Sequence, residues 1–186
     1  MNSYWYLFES ELHSDTCKEI SNQWNDLEAH KGKVGDGDPK LDNYIRQSKI
    51  MKFPYGTDRQ NAFAELLLPY ITIANKECFG FHLNGFSEFQ LAEYDVGDFY
   101  IEHIDIGLTD TESERKLSIT IQLTPSHLYQ GGHFCFGSSI NTPDTEKLKQ
   151  QGSILVFPSI FPHYISKVES GKRLALVGWY EGNKWK

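Results

Sequence analysis

Cysteine is scarce in this chain, with three in 186 residues. The number is odd, and Cys17, Cys78 and Cys135 are too far apart for a CxxC pair. That argues against a disulfide framework and a cysteine-rich zinc site, and it fits a reducing compartment. Each thiol is expected to be a small buried apolar group. Basic charge is scarce as well: 18 Lys and Arg against 25 Asp and Glu give a net charge of −7. A nucleic-acid binder needs a basic surface to displace counterions, and an anionic membrane attracts basic segments, so neither is an expected partner. No apolar run approaches the ~18 residues of a membrane-spanning helix. The opening residues, MNSYWYLFESELHSD, lack a basic start followed by an apolar stretch. No signal peptide is therefore expected, and a cytoplasmic location is.

What is present speaks for a folded domain. Hydrophobic residues make up 39% and aromatics 14%, which excludes a disordered chain. The length suits one domain over 1–186, long enough to fold without a structural metal. Ser14 is a candidate N-cap, and Cys17, Ile20, Trp24 and Leu27 recur behind it at helical spacing. A second helix is expected from about Asp58, with Phe63, Leu66, Leu67, Tyr70, Ile71, Ala74 and Cys78 on one face. Pro69 should kink it or start a new one. Between them, His30 to Asn43 carries three Gly, a Pro and three Asp, the composition of an exposed loop. Tyr44 to Lys52 alternates like a strand. Beyond residue 79 short β segments are expected near 80–85, 88–94, 99–105, 117–124, 132–137, 153–158 and 173–181. The expected class is α+β and mainly β: helical support over about 1–78, packed on one face of an antiparallel sandwich or barrel over about 79–181.

Of the seven histidines, His13, His30 and His127 sit in polar or turn-rich surroundings and suggest only local bonding. His103 is followed two residues later by Asp105, and in a strand that spacing turns both side chains to one face. On that segment alone an ordinary His–Asp hydrogen bond is the better explanation of the pair. The apolar run Gly152 to Phe161 then ends in Pro162 and His163, 60 residues after His103, and Arg173 follows ten residues later. Two His and one carboxylate on a β scaffold form the ligand set of non-haem iron(II) oxygenases. Arg173 by itself would suit a surface strand, paired with Glu169 or Glu181.

The stretches Tyr94 to Asp105, Arg115 to Thr124 with Gly131-Gly132, and Gly152 to Trp179 resemble the 2-oxoglutarate/iron(II)-dependent dioxygenases, in particular their prolyl-4-hydroxylase-like group. The likeness covers about 80–181, with weaker support from Arg46-Gln-Ser-Lys49. It implies a double-stranded β-helix, a cupin-like jelly-roll barrel. It implies Fe(II), 2-oxoglutarate and O2 as cofactor and cosubstrates, with ascorbate as a candidate reductant. It assigns His103, Asp105 and His163 to the metal and Arg173 to the C5 carboxylate of 2-oxoglutarate. Tyr94, Tyr100 and Trp179 match aromatic positions that line or bond the cosubstrate pocket. Gln122 stands where some relatives have a cosubstrate-binding Tyr, and its amide can donate to a carboxylate. Strict alternation puts Tyr100 on the face opposite His103. His133 follows the Gly-Gly pair where an acidic residue is common, a decoy metal contact. The implied substrate is a prolyl residue of a peptide or protein, with a non-prolyl substrate as the alternative, since members of the group act on other substrates too. A flexible loop near the site mouth in related hydroxylases, together with Gly32, Gly35 and Gly37, makes residues 31–43 a candidate lid.

The chemistry suits these residue types. Three protein ligands on one face of iron(II) leave adjacent positions for a bidentate oxoacid and oxygen. A buried guanidinium stays charged and matches carboxylate geometry. Rival readings explain less. A zinc hydrolase leaves Arg173 unexplained and lacks an evident general base. A non-catalytic jelly-roll binding module has no need of the triad. A nucleic-acid demethylase would carry a second Arg at position 179, which is Trp.

Overall fold

The computed structural model describes residues 4–25, 30–31, 44–53, 56–107, 114–138 and 140–183. The candidate lid, 31–43, lies outside them apart from Lys31. The strands are β1 (Tyr6–Phe8), β2 (His30–Lys31), β3 (Arg46–Gln47), β4 (Lys49–Phe53), β5 (Leu83–Tyr94), β6 (Phe99–His103), β7 (Arg115–Gln122), β8 (Tyr129–Gly131), β9 (Phe134–Phe136), β10 (Ile154–Pro158), β11 (His163–Ile165), β12 (Val168–Gly171) and β13 (Arg173–Gly182). The α-helices are α1 (Ser14–Asn22), α2 (Asp58–Ala74) and α3 (Thr145–Lys149). A major sheet runs β1-β10-β7-β13-β5-β4-β2, a minor sheet β3-β6-β11-β9, and β12 pairs with β8 in a short ribbon. The pairings are antiparallel. The fold is jelly-roll-like.

Alternation along the major strands creates two cores. Met51, Phe53, Phe89, Leu91, Leu117, Ile119, Ile121, Ile154, Val156, Leu174 and Leu176 point outward and pack against Cys17, Ile20, Phe63, Leu67 and Ile71 of the helices. The helices therefore cover one outer face, as the chain order implies. On the opposite face Ile50, Ala92, Tyr94, Leu155 and Phe157 meet Phe134, Phe136 and Ile165 of the minor sheet. Side-chain direction reverses at each residue of a strand, so one strand serves both cores. Gly178 sits on the helix-facing side of β13, where a Cβ would lie 2.3 Å from the Phe89 ring. Gly178→Ala is expected to destabilise by about 1–3 kcal/mol through overpacking, read as a lower denaturant midpoint. An unchanged midpoint would show that Phe89 swings aside at no cost.

Several elements differ from the sequence reading. Within the strand expected over 44–52, residues 44–45 are helical and the rest is two strands: β3 pairs with β6 in the minor sheet and β4 with β5 in the major. The chain crosses between sheets at Ser48, whose hydroxyl accepts from Arg46 Nε at 2.7 Å. Segments expected near 80–85 and 88–94 are one continuous strand, β5, because β13 pairs with it along its length through register shifts. Strands β1, β2, β8, β11 and β12 and helix α3 fall outside the expected elements; each is short, and the strands pair with partners remote in sequence. The cap of α1 is His13, whose Nδ1 accepts from Asp15 N, rather than Ser14. Helix α2 runs through Pro69 without ending, then widens into a π-turn at Asn75–Phe79. Gly80, at φ 69°, closes that turn. Of the three thiols only Cys17 is fully buried, and burial pushes it up to about 11. Cys78 and Cys135 are partly exposed, unlike the expectation.

Candidate active site

Beside the apolar residues of the second core, the inner face of the major sheet carries a polar patch. Strand β7 turns Leu117, Ile119 and Ile121 to the helices and Ser118, Thr120 and Gln122 inward. Gln90 and Arg173 join them, also buried. A folded sheet places polar groups inside only where they have partners or line a cavity. A cavity of about 310 Å³ lies here, walled by Arg46, Tyr94, Tyr100, Thr120, Arg173 and Trp179, with His103, Asp105 and His163 among its lining.

The three triad residues come from two segments held by one register. His163 opens β11 directly opposite His103 at the end of β6. Their ring centroids are 4.3 Å apart. Strand β6 stops at His103, so Asp105 lies past it, in contrast to the expected strand over 99–105. Its position depends on tertiary bonds instead. Asp105 N donates to Ser159 O at 2.9 Å, and Arg115 Nη1 donates to Asp105 O at 3.1 Å. Asp105 Oδ1 lies 3.6 Å from His103 Nε2, and Oδ2 lies 3.5 Å from His163 Nε2. One ligand atom from each residue fits within 4.8 Å of the others.

The donor pattern fits a cation. His103 Nδ1 is 2.8 Å from Ile101 O, and His163 Nδ1 is 2.9 Å from Phe161 O. A carbonyl oxygen only accepts, so each Nδ1 carries a proton and Nε2 is the ring nitrogen left facing Asp105. Three acceptors then converge, which is unfavourable without a positive charge between them. Protonation of His163 does not supply it readily: burial pushes its imidazole down to about 4, against the pull of Asp105. Burial favours the neutral acid of Asp105, yet His163, His103 and Ser118 outweigh it and hold the carboxyl well below the usual range. The site offers two imidazole nitrogens and a carboxylate, a set suited to a divalent transition metal.

Arg173 stands across the cavity. It begins β13 beside Tyr94, and its guanidinium lies 5.5 Å from that ring. It is 4% exposed, and it hydrogen-bonds Tyr129. Among the described residues no carboxylate pairs with it, so the surface pairing with Glu169 or Glu181 does not form. Gly132 makes room for this arrangement, and Gly131 lets the chain pass close to the Lys167 backbone. At Gly132, φ is 59° and a Cβ would press on Arg173 Cδ at 3.1 Å. At Gly131, φ is 70° and a Cβ would meet Lys167 O at 2.2 Å.

The remaining residues divide. Tyr94 and Trp179 line the cavity, and the Arg115 guanidinium lies 4.1 Å over the Trp179 ring. Tyr100 is on the same side as His103, stacked on it at 3.5 Å, not opposite. The reason is a bulge: three residues of β6 span two of β11 between the pairs Tyr100–Ile165 and His103–His163, which resets the alternation. Gln122 faces inward but beyond the main cavity. It lines a small adjoining void with Tyr129, Gly132 and His133, and its amide donates to Thr124 O at 3.1 Å. The inward residue that reaches the cavity is Thr120. His133 is outside the triad. Tyr129, Ser118, Ser159 and Arg46 were absent from the expected site. The alternation of Ser118 and Thr120 with apolar residues is the one visible signal, and of these four it points only to Ser118.

A PKHD-type hydroxylase of Prochlorococcus marinus strain AS9601 is 38% identical over 82 residues, 44% of this chain and 36% of that protein. One from Rippkaea orientalis is 32% identical over 94 residues, covering 48% of this chain and 40% of its own. The match thus spans well under half the length of these relatives. In structure, a prolyl-4-hydroxylase of Pseudomonas putida superposes with a TM-score of 0.73 at 20% identity, over 97% of this chain and 94% of that one. A prolyl hydroxylase of Trichoplax adhaerens, in complex with a hypoxia-inducible-factor peptide fragment, gives 0.72 at 20% identity, over 96% and 84%. These two likenesses support the fold. The family model for the 2OG-Fe(II) oxygenase superfamily matches residues 89–181, half of the chain and the half that holds the triad and Arg173, and the chain belongs to that superfamily.

Proposed function

We propose that the chain is an Fe(II)- and 2-oxoglutarate-dependent dioxygenase that hydroxylates a C–H bond of a prolyl residue in a peptide or protein. The observation that carries this reading is one cavity with three converging metal-ligand atoms and, across it, a buried guanidinium that pairs with no described carboxylate. His103, Asp105 and His163 would hold the iron, and Arg173 the far carboxylate of 2-oxoglutarate. When bound, iron and 2-oxoglutarate supply the oxidising power, with O2 consumed, succinate and CO2 released and one oxygen atom entering the substrate.

The protein's own residues do the holding. Arg173 remains charged in a buried position, so its fork attracts a dicarboxylate over a neutral ligand. Tyr129 steadies that fork from one side, and Tyr94 flanks it. With Asp105 as the single anionic ligand, an iron(II) centre would keep a net charge near +1, which favours an anionic chelate. Tyr100, Trp179 and the Arg115 stack give the cavity flat walls that suit a pyrrolidine ring. Arg46, buried with its guanidinium 4.7 Å from the Tyr100 ring, offers a donor fork for backbone carbonyls of a peptide. The described elements share their cores, which supports a single domain. Among the described residues no helix is long and apolar enough to cross a membrane. With three unpaired thiols, a reducing, cytoplasmic setting is the location we infer.

The test is the anaerobic complex. Addition of Fe(II) and then 2-oxoglutarate should produce a weak visible charge-transfer band, absent with succinate. A protein that binds both without this band would not be chelating the cosubstrate at the iron. A peptide panel read by succinate release and a mass increase of one oxygen then names the substrate. Succinate release with oxygen incorporated only into non-prolyl peptides would keep the oxygenase and overturn the prolyl assignment.

A further inference from the structure

Asp105 is held more tightly than a metal ligand needs merely to be present. Its Oδ2 lies 2.6 Å from the hydroxyl of Ser118, and that hydroxyl lies 3.0 Å from the hydroxyl of Ser159. Both serines are wholly buried, at 0% exposure, so water does not compete for these bonds. The direction of the chain follows from donor count. A serine hydroxyl has one proton, and a carboxylate only accepts. Ser118 therefore donates to Asp105, and Ser159 must donate to Ser118. The same serine that supports Ser118 also accepts the Asp105 N–H through its backbone carbonyl.

We propose that Ser118, oriented by Ser159, is a positioning residue that decides which oxygen Asp105 offers to the metal: Oδ2 is retained by the hydroxyl and Oδ1 is left as the ligand atom. This rests on the reading of the triad as a metal centre. A carboxylate oxygen that accepts a short, buried, charge-assisted bond is a weaker metal donor than its free partner. Held this way, Asp105 occupies one coordination position instead of two. That leaves room for a bidentate oxoacid, which a carboxylate bound through both oxygens would contest. The position of Ser118 on β7 makes the device rigid. Its neighbours Leu117 and Ile119 are anchored in the helix-side core, so the hydroxyl cannot drift from the carboxylate. Neither serine's backbone bonds depend on its hydroxyl, so alanine at each position deletes the relay and leaves the strand pairing in place.

The experiment uses the metal-free protein titrated with Co(II), read by affinity and by its visible spectrum, which reports the ligands around the ion. Wild type and His163→Ala set the limits. Loss of an outer partner of a metal-bound carboxylate typically costs about 10–100-fold in affinity. Ser118→Ala is expected to fall in that range with an altered Co(II) spectrum, and to weaken 2-oxoglutarate binding to the Co(II) protein. Ser159→Ala retains the Ser118 hydroxyl but frees its orientation, so it should change the spectrum in the same sense with a smaller loss. If folded Ser118→Ala and Ser159→Ala both show wild-type affinity and spectrum, the serines only fill space and the proposal is overturned. If Ser118→Ala does not fold, Ser159→Ala decides by the same criterion. If wild type binds Co(II) no better than His163→Ala, the metal centre itself is misassigned, and that failure is separate from a failure of the relay.

Discussion

Replacing His163 with alanine is expected to reduce iron(II) binding by well over ~100-fold and to abolish turnover while the protein remains folded. The size follows from its place. Loss of an outer partner of a metal ligand already costs ~10–100-fold, and His163 would contribute one of only three protein ligand atoms. Its ring is buried among Phe134, Phe157 and His103, at centroid distances of 5.3, 4.8 and 4.3 Å. Removing it leaves a small void but breaks no ladder bond, because β11 pairs through its backbone. Calorimetric titration of the metal-free variant, with circular dichroism to confirm the fold, is the measurement. Undiminished iron binding would refute the ligand assignment.

The second large effect is expected at Arg173. Its guanidinium is buried with Tyr129 and Tyr94 as neighbours and no described carboxylate as partner. A buried charge in that condition is costly until a ligand pairs with it. Deleting the partner of a buried, charged, hydrogen-bonded group typically costs ~2–5 kcal/mol, about 30- to several-thousand-fold in affinity. Arg173→Ala should therefore raise the 2-oxoglutarate dissociation constant by that factor while iron affinity stays near wild type. Arg173→Lys retains the charge without the fork and should fall between. A cosubstrate affinity within about threefold of wild type for the alanine variant would sink the anchoring role. Metal loss at His163 and cosubstrate loss at Arg173 are separable, since the two side chains touch different parts of the cavity.

How far the site was legible in the sequence depends on how local each cause is. His103 and Asp105 are two residues apart, and their pairing needed no long-range information, although the reason for it proved different. They meet because Asp105 is tied to Ser159 and Arg115 just past the strand end, not because one strand carries both. The Tyr100 expectation failed for a related cause. Alternation is a property of an isolated strand, and a bulge against β11 shifts it by one residue. Gln122 was assigned by its position in a motif. Its side chain faces the right way but lies one inward position too far along β7, and Thr120 takes the place beside the cavity. The short strands β8, β11 and β12 carry no period to detect in three or four residues.

The sequence by itself determined the family-like order of the chain: helices first, short β segments after, a late His and Arg at fixed spacing from an early HxD, and an acidic composition. These are patterns of neighbouring residues and of residue type, and local propensity and solvation act on both. Only the tertiary structure decided what faces what. Antiparallel register set His163 against His103, and the crossing at Ser48 brought Arg46 to Tyr100. The polar inner face of β7 put a hydroxyl on Asp105, and the left-handed Gly132 left the space that Arg173 fills. Such contacts join residues up to 60 positions apart in the chain, and their free energy is realised only when both sheets are closed on each other.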